Sequence, residues 1–454
     1  MTHTNPVRAS SGADELAPDS GEVRRDGLYR KIALRVMPLL VICYIVSFID
    51  RTNIGIAQVG LERDLGFSAA VYGLGVGLFF VGFILFEVPS NALLQRIGAR
   101  ATMTRIMVSW GAVTIATMFV WDETSFYVMR FLLGVTEAGF FPGALFYLAQ
   151  WFPSARRTRM TATFFIGVPI SGIIGSAVSG AIMSSFTGVG GLADWQWLFL
   201  IEGIPPILLA AAVWFCLADR PADAKWLTDD EKAIVEGDLA ADDARKRGTD
   251  EDAEGHDGLF AALRDPRVLI LGLCACGAYT LANAVSFWTP RIINNAGVDN
   301  VLNLGLFSAI PPLAGIIVMQ IVGRHSDRTL ERRWHAAGSW FVASAGLVAL
   351  SFVTNNPQMV VILLAVVAAA HYSGLTVFYS IPSIYLSGRG TATGIALVTT
   401  MGSFAAALSP ALLGFIQEHT GSLSLGLQIS AALVVIAGAV LLVGIPAHAL
   451  KEKR

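Results

Sequence analysis

Apolar residues in this chain come in runs of about 20, enough as helices to cross the hydrocarbon of a bilayer, and twelve such runs recur between positions 34 and 447. They lie near 34–58, 68–93, 101–120, 124–150, 159–186, 196–216, 267–291, 303–323, 334–354, 357–385, 391–416 and 425–447. One long polar insertion, about Leu217 to Pro266 with a mixed-charge run from Asp229 to Asp252, separates the sixth from the seventh. The pattern predicts an all-α membrane protein of twelve transmembrane helices in two six-helix bundles. The boundaries it implies are a disordered tail over 1–30, a first bundle over 31–216, a loop over 217–266, a second bundle over 267–449 and a short tail over 450–454.

Composition agrees. Charged residues make up 15% of the chain and hydrophobic ones 54%, against about 25% charged in a soluble domain. The net charge of −2 says little about partners; small solutes and the lipid bilayer are expected, nucleic acid is not. The first thirty residues are rich in Ser, Asp, Glu, Arg and Pro and lack the apolar core of a signal peptide. Cys43, Cys216, Cys274 and Cys276 sit in or at the edge of apolar runs, without CxxC spacing or nearby His, and read as small buried hydrophobes. No GxSxG, HExxH, P-loop or metal-spaced His/Cys cluster is found, so no enzyme, metal or cofactor is expected. Without an ATP site, any work done would draw on an ion gradient.

Lysine and arginine set the orientation. With the N-terminus inside, the inner loops hold Arg96 and Arg100, then Arg156, Arg157 and Arg159, then Arg220 to Arg264, then Arg324 to Arg333, then Arg389. The outer loops hold only Arg63 and Arg291. Both termini are therefore expected in the cytoplasm.

Against this apolar background four charges stand out. Span four carries Arg130 and Glu137, seven residues or two turns apart, so both project from one face about 10 Å apart along the axis. Gly134, on that face between them, forms with Ala138 a stripe of small residues that lets a neighbouring helix come close. Span one carries Asp50 and Arg51. Each such charge costs about 2.5–3.5 kcal/mol at the bilayer centre. A closed salt-bridge cluster holding helices together is the plainer reading, but a buried ionic network is expensive beside apolar packing.

The halves echo each other. After span two comes Asn91-Ala92-Leu93-Leu94-Gln95-Arg96-Ile97-Gly98-Ala99-Arg100, and after span eight Gly323-Arg324-His325-Ser326-Asp327-Arg328, with Arg332 and Arg333 following. Repeats of this kind place a substrate site between the halves and work by rocking one against the other.

These residues carry a resemblance. The twelve spans and the loop after span eight resemble the major facilitator superfamily, whose signature there is Gly-x-x-x-Asp-Arg-x-Gly-Arg-Arg; the first copy departs from it at Asn91 and Gln95. Asp50-Arg51-Thr52-Asn53-Ile54-Gly55, Phe86-Glu87-Val88-Pro89-Ser90-Asn91, Glu137-Ala138-Gly139-Phe140-Phe141-Pro142-Gly143 and Trp195-Gln196-Trp197-Leu198-Phe199 with Glu202-Gly203 resemble its anion:cation symporter branch. That branch includes bacterial permeases for galactonate, glucarate, tartrate, phthalate and hydroxyphenylacetate, related to vesicular glutamate transporters and sialin. The resemblance spans about residues 30 to 447 and implies import of a small organic anion with protons across the plasma (inner) membrane, by a protein whose default state is a monomer.

If spans one and four adjoin, as the resemblance implies, Arg51 and Arg130 lie at similar depth, and two guanidinium forks at one level suit a carboxylate. Each arginine can hold an acidic side chain ionised until an incoming anion competes for it. The carboxylate so released, poorly hydrated and unpartnered, takes a proton, so that anion and proton favour each other's binding. Arg51 and Arg130 are thus expected to bind anion and Asp50 and Glu137 to carry protons, as the resemblance also implies. Tyr44 is placed in the site by the resemblance.

The second half is nearly free of charge within its spans. Tyr279 and Asn283 of span seven and Tyr379 of span ten are candidate contacts to the substrate's body. Tyr372, Phe378, Thr399, Thr400 and Ser403 offer similar chemistry. Each has a plainer alternative: Tyr and Trp near span ends, Trp288 and Tyr385 among them, serve as interfacial anchors, and Thr or Ser bonds its own helix. His371 is either a proton relay or a helix contact. Asp327 and Arg328 would close the cytoplasmic side by pairing. Thr399-Thr400 and Ser403 stand where relatives often have amides, and Phe378-Tyr379 where many have Phe-Trp, which tilts the expectation from sugar acids toward a smaller or more aromatic carboxylate. The alternatives are export of a drug-like or cationic compound on the same fold, and a non-transporting sensor, for which the loop after span six is too short and too charged to form a packed domain.

Overall fold

The computed structural model describes residues 20–250, 264–353, 355–386 and 391–446. Arg389, the tail at 450–454, the first nineteen residues and 251–263 of the central loop lie outside these. In lipid a backbone has no water to bond, so each crossing segment closes its own hydrogen bonds as a helix. The described residues form twelve such crossings. Ten are long and apolar enough by length and composition alone. The third (Ala99–Thr117) and ninth (Arg333–Leu350) are helical but less apolar, because Arg100 and Arg105 open one and Arg333 and His335 the other.

Local chemistry sets the helix ends. Asp122 caps span four, accepting from Ser125 N at 2.8 Å while the Ser125 hydroxyl accepts from Asp122 N. Ser68, Asn300 and Asn356 cap spans two, eight and ten, each side chain accepting from the backbone N–H three residues on. Several spans are interrupted. Span four stops at Glu137 and restarts at Phe140, because Ala138 is extended and Gly139 has a φ of +91°. A Cβ at Gly139 would also meet Ser90 Oγ at 2.2 Å, so glycine is required twice over. Span seven (Pro266–Phe287) breaks at Trp288 and continues as Thr289–Asn295. Trp288 is fully buried, edge-on to Tyr72, and so is no interfacial anchor.

Small residues set the helix spacing within and between the halves. A Cβ on Gly134 of span four would lie 2.0 Å from the Phe79 carbonyl of span two (Ala69–Ile97), and one on Gly82 would lie 2.4 Å from the Phe131 carbonyl. Between the halves, Gly73 and Gly77 of span two lie against the Pro410 and Ala407 carbonyls of span eleven (Thr391–Thr420). Gly180 of span five (Gly167–Ser185) lies against the Val301 carbonyl of span eight. Polar contacts joining the halves cluster at the same end: Tyr72 Oη donates to the Phe287 carbonyl at 2.8 Å, Ser68 and Ala70 N donate to Glu418, and Arg291 pairs with Glu62. One apolar core lies wholly between Leu28 and Val235, while the other fills the second half and takes in residues of the first from Ile54 to Val76 and, further on, Val120, Phe126, Met183, Trp195, Leu198 and Phe199. The molecule is thus closed at the end where spans one and two meet.

Two boundaries differ from the sequence expectation. The first helix begins at Ser20, ten residues inside the segment read as a disordered tail, and buries Leu28 and Tyr29. The central insertion holds a helix, Asp229–Asp250, docked on the first half by Lys31–Glu231, Arg24–Asp230 and Arg25–Asp238 pairs and by Ser154 donating to Asp242. Its charges, read as the mark of a loose loop, are complementary to that surface. Among the cysteines, Cys43 and Cys274 are buried, Cys276 is half-buried and Cys216 is exposed. Cys216 departs from the expectation because it ends span six (Asp194–Cys216), where the helix leaves the packed core.

Candidate functional site

Successive helical residues point about 100° apart, so the adjacent Asp50 and Arg51 of span one serve different neighbours. Arg51 turns to span four: its Nη2 and Nε donate to Glu137 Oε2 at 2.7 and 3.2 Å. Its guanidinium also stands 4.9, 5.1 and 5.2 Å from the ring centres of Phe48, Phe79 and Phe83, an aromatic cage that favours a cation. Asp50 turns the other way, accepting from Thr114 Oγ1 of span three at 2.7 Å. Spans one and four therefore meet through Arg51 and Glu137.

Arg130 reaches the same ring, its guanidinium 5.2 Å from the centre of Phe79. Both arginines thus lie against one phenyl ring. Although Arg130 and Glu137 share a helix face, they are not hydrogen-bonded, because Glu137 is taken by Arg51 from span one. Arg130 is 2% exposed, and among the described residues its Nε and Nη2, like Glu137 Oε1, have no hydrogen-bond partner. Leaving such donors buried and unmade costs about 1–3 kcal/mol each, more for charged groups, so the vacancy calls for an explanation.

The remaining candidates separate into two groups. Tyr279 and Tyr379 come together, their hydroxyls 2.9 Å apart. Tyr379 is 48% exposed and its ring lies 6.4 Å from that of Phe165 across the boundary between halves. Tyr44 is buried instead, stacked on Phe164 at 4.1 Å and edge-on to Phe48. Asn283 is also buried, donating to the Ala406 carbonyl at 2.7 Å and to Ser409 at 3.1 Å, so in this conformation it ties span seven to span eleven. Thr399, Thr400 and Ser403 donate to carbonyls four residues back in their own helix. His371 is buried beside Tyr372 with Nδ1 unpartnered. Asp327 and Arg328 are both exposed, and no ion pair joins them among the described residues.

Three groups not singled out as site residues also enter. Glu202 of span six accepts from Ser179 Oγ at 2.7 Å and from Asn53 Nδ2 at 2.9 Å. Asn53 reaches Asp50 as well, at 3.4 Å. Arg105 of span three donates to Ser90 at 3.1 Å. Each was visible as a polar residue inside an apolar run, but one sequence does not show which way it faces.

The arrangement can hold an anion beside Arg130 and exchange it for a carboxylate at Arg51. Residues 40–410 match the family model of the Major Facilitator Superfamily. Among curated relatives, the "Putative metabolite transport protein NicT" of Pseudomonas putida is 42% identical over 92% of this chain and 94% of its own length. A "Putative tartrate transporter" of Agrobacterium vitis is 41% identical over 91% and 90%. The "Quinolone resistance transporter" of Acinetobacter baumannii is 37% identical over 88% and 90%. Among solved structures, a D-xylose-proton symporter superposes with a TM-score of 0.72 at 13% identity, covering 92% of this chain and 99% of that one, a likeness of fold.

Proposed function

The chain belongs to the Major Facilitator Superfamily, and from that premise we propose that it imports a small organic carboxylate with protons by alternating access. One observation carries the reading: Arg130 is buried with two guanidinium nitrogens unpartnered among the described residues, against the same Phe79 ring as an Arg51 that is itself held by Glu137. A carboxylate reaching Arg130 supplies the missing acceptors in the paired geometry that guanidinium favours. Where it also draws Arg51 away, Glu137 loses its counter-charge in a site of low polarity and takes a proton, so the two ligands bind together. Asp50 is the second proton carrier. Tyr279 and Tyr379 meet the substrate's body; Tyr44 and Asn283 shape the walls and reach it only if the helices rearrange. The names of the tartrate relatives support a carboxylate.

The asymmetry of Lys and Arg in the loops supports a plasma (inner) membrane protein with both termini cytoplasmic, so that the closed end faces outward. Asp327 and Arg328, not paired with each other among the described residues, pair when the cytoplasmic side closes. The test is a thermal-shift screen of the purified protein against tartrate and other small or aromatic carboxylates over a range of pH, followed by uptake into proteoliposomes with and without a proton gradient. A true ligand stabilises by mass action. Stabilisation that grows toward acid pH together with gradient-driven uptake is the expected result, and uptake indifferent to the gradient refutes proton coupling. The quinolone-resistance relative supports a second reading, export of a drug-like compound. Stabilisation by quinolones but by no simple carboxylate, with transport in the opposite direction, would select it.

A further inference from the structure

Span six carries a buried carboxylate that the proposed exchange does not use. Glu202 is 6% exposed in span six, and its two oxygens accept from Ser179 of span five and Asn53 of span one. The same Asn53 amide nitrogen also donates to Asp50, which Thr114 holds from the other side. A continuous chain Thr114–Asp50–Asn53–Glu202–Ser179 thus crosses four helices. The charged group facing Glu202 from span one is Asp50; span five offers Ser179, and span three packs on span six through Gly111 and Ile115.

Two further observations make this more than an acidic cluster. Asn53 is 3% exposed and its Oδ1 has no partner, so the amide donates to two carboxyl groups while its own acceptor stands empty. If either carboxyl gains a proton, that group becomes a donor, and a half-turn of the amide presents Oδ1 to it. The chain also opens on a cavity of about 50 Å³ between the halves, whose walls include Asn53, Ser176, Ser179, Ser286, Thr289 and Ser308. The Ser308 hydroxyl is buried there without a partner. A volume of that size with polar walls can hold water, which needs about 10–15 Å³ and two to four polar partners.

We propose that Glu202 is a third proton-binding site of the transport cycle, beside Glu137 and Asp50, reached by water through the hydroxyl-lined cavity, with Asn53 as the positioning residue that makes its protonation and that of Asp50 interdependent. The inference rests on the proton-coupled reading for its role in transport, but the protonation of Glu202 is measurable without any substrate. The experiment is an infrared titration of the full-length protein in lipid vesicles, following the C=O stretch of protonated carboxyl groups. Glu202→Gln is expected to lose one component of that band, and Glu202→Asp to restore a component with a different pH profile. Asn53→Ala is expected to keep both carboxyl components but uncouple their titrations. A Glu202→Gln spectrum identical to wild type at every pH overturns the site, and an unchanged titration in Asn53→Ala overturns the coupling. Gel filtration confirms that each variant is folded. Failure of proton-driven uptake in the wild type would overturn the transport reading and leave the infrared result standing.

Discussion

Replacing Glu137 by Gln isolates the step on which the proposed exchange depends. Glu137 is fully buried and receives two hydrogen bonds from Arg51, the shorter at 2.7 Å. Hydrogen bonds to a charged group contribute about 1.5–3 kcal/mol and neutral ones about 0.5–1.5, so Glu137→Gln weakens the grip on Arg51 by about 1–1.5 kcal/mol. An incoming carboxylate then has less to displace. Its affinity at neutral pH should rise roughly five- to tenfold, at about 1.4 kcal/mol per factor of ten. The same change removes the proton site, so the growth of affinity toward acid pH should flatten, and accumulation driven by a proton gradient should fall while exchange without a gradient persists. Thermal-shift titration of the variant against a carboxylate that stabilises the wild type, at several pH values, reads the first two effects. Vesicle uptake reads the third. Full gradient-driven uptake by Glu137→Gln, or a pH profile unchanged from wild type, refutes the role assigned to this residue.

Asn283→Ala should lower stability by about 0.6 kcal/mol and at most about 1.7, the range for hydrogen bonds between membrane helices, without changing carboxylate affinity; a large loss of affinity at unchanged stability would show that Asn283 touches substrate. Gly73→Leu pushes a side chain into the Pro410 carbonyl, 2.3 Å from the position of a Cβ, and should disfavour the closed end by about 1–3 kcal/mol. Faster maleimide labelling of a cysteine introduced at the buried Val76 would register it, and unchanged labelling would count against that contact as the closure. Hydrogen bonds from Lys31 and the Thr228 backbone hold the Glu231 carboxyl below its usual range. Its contribution to docking of the Asp229–Asp250 helix is therefore complete above the unfolded value of about 4.3 and lost as pH falls through the lower folded value. Protection of that helix from hydrogen exchange, measured relative to the intrinsic exchange rate at each pH, should fall in acid, modestly, since the pair is partly exposed; protection flat across that window would show the ion pair to be inert.

The twelve crossings were legible because lipid sets a minimum length for each, and ten of them are also strongly apolar. Gly134 was legible for a similar reason: a small residue between two charges on one helix face implies a close neighbour, and the Phe79 backbone is there. The partner of Glu137 was not. Arg130 lies on its own helix and Arg51 on another, and only the crossing of spans one and four decides that Arg51 takes the carboxylate and leaves Arg130 vacant. Asn283 illustrates the opposite case. An amide deep in an apolar span signals an obligatory partner, but a substrate and a neighbouring backbone satisfy that need equally well, and here the Ala406 carbonyl does so.

The site and the closed end are mechanically joined through one backbone carbonyl. Span seven breaks at Trp288, and the buried Phe287 carbonyl at that break receives its hydrogen bond from Tyr72 of span two. The same carbonyl is what a Cβ on Gly55 of span one would meet at 3.2 Å. Gly55 is one turn beyond Arg51, and Tyr72 is two turns before Phe79, the ring that both arginines lie against. Packed interfaces switch between discrete arrangements instead of deforming continuously. If an anion draws Arg51 from Glu137, spans one and two both bear on the place where the second half is gripped, which gives ligand exchange at the arginines a direct route to opening the outer contact.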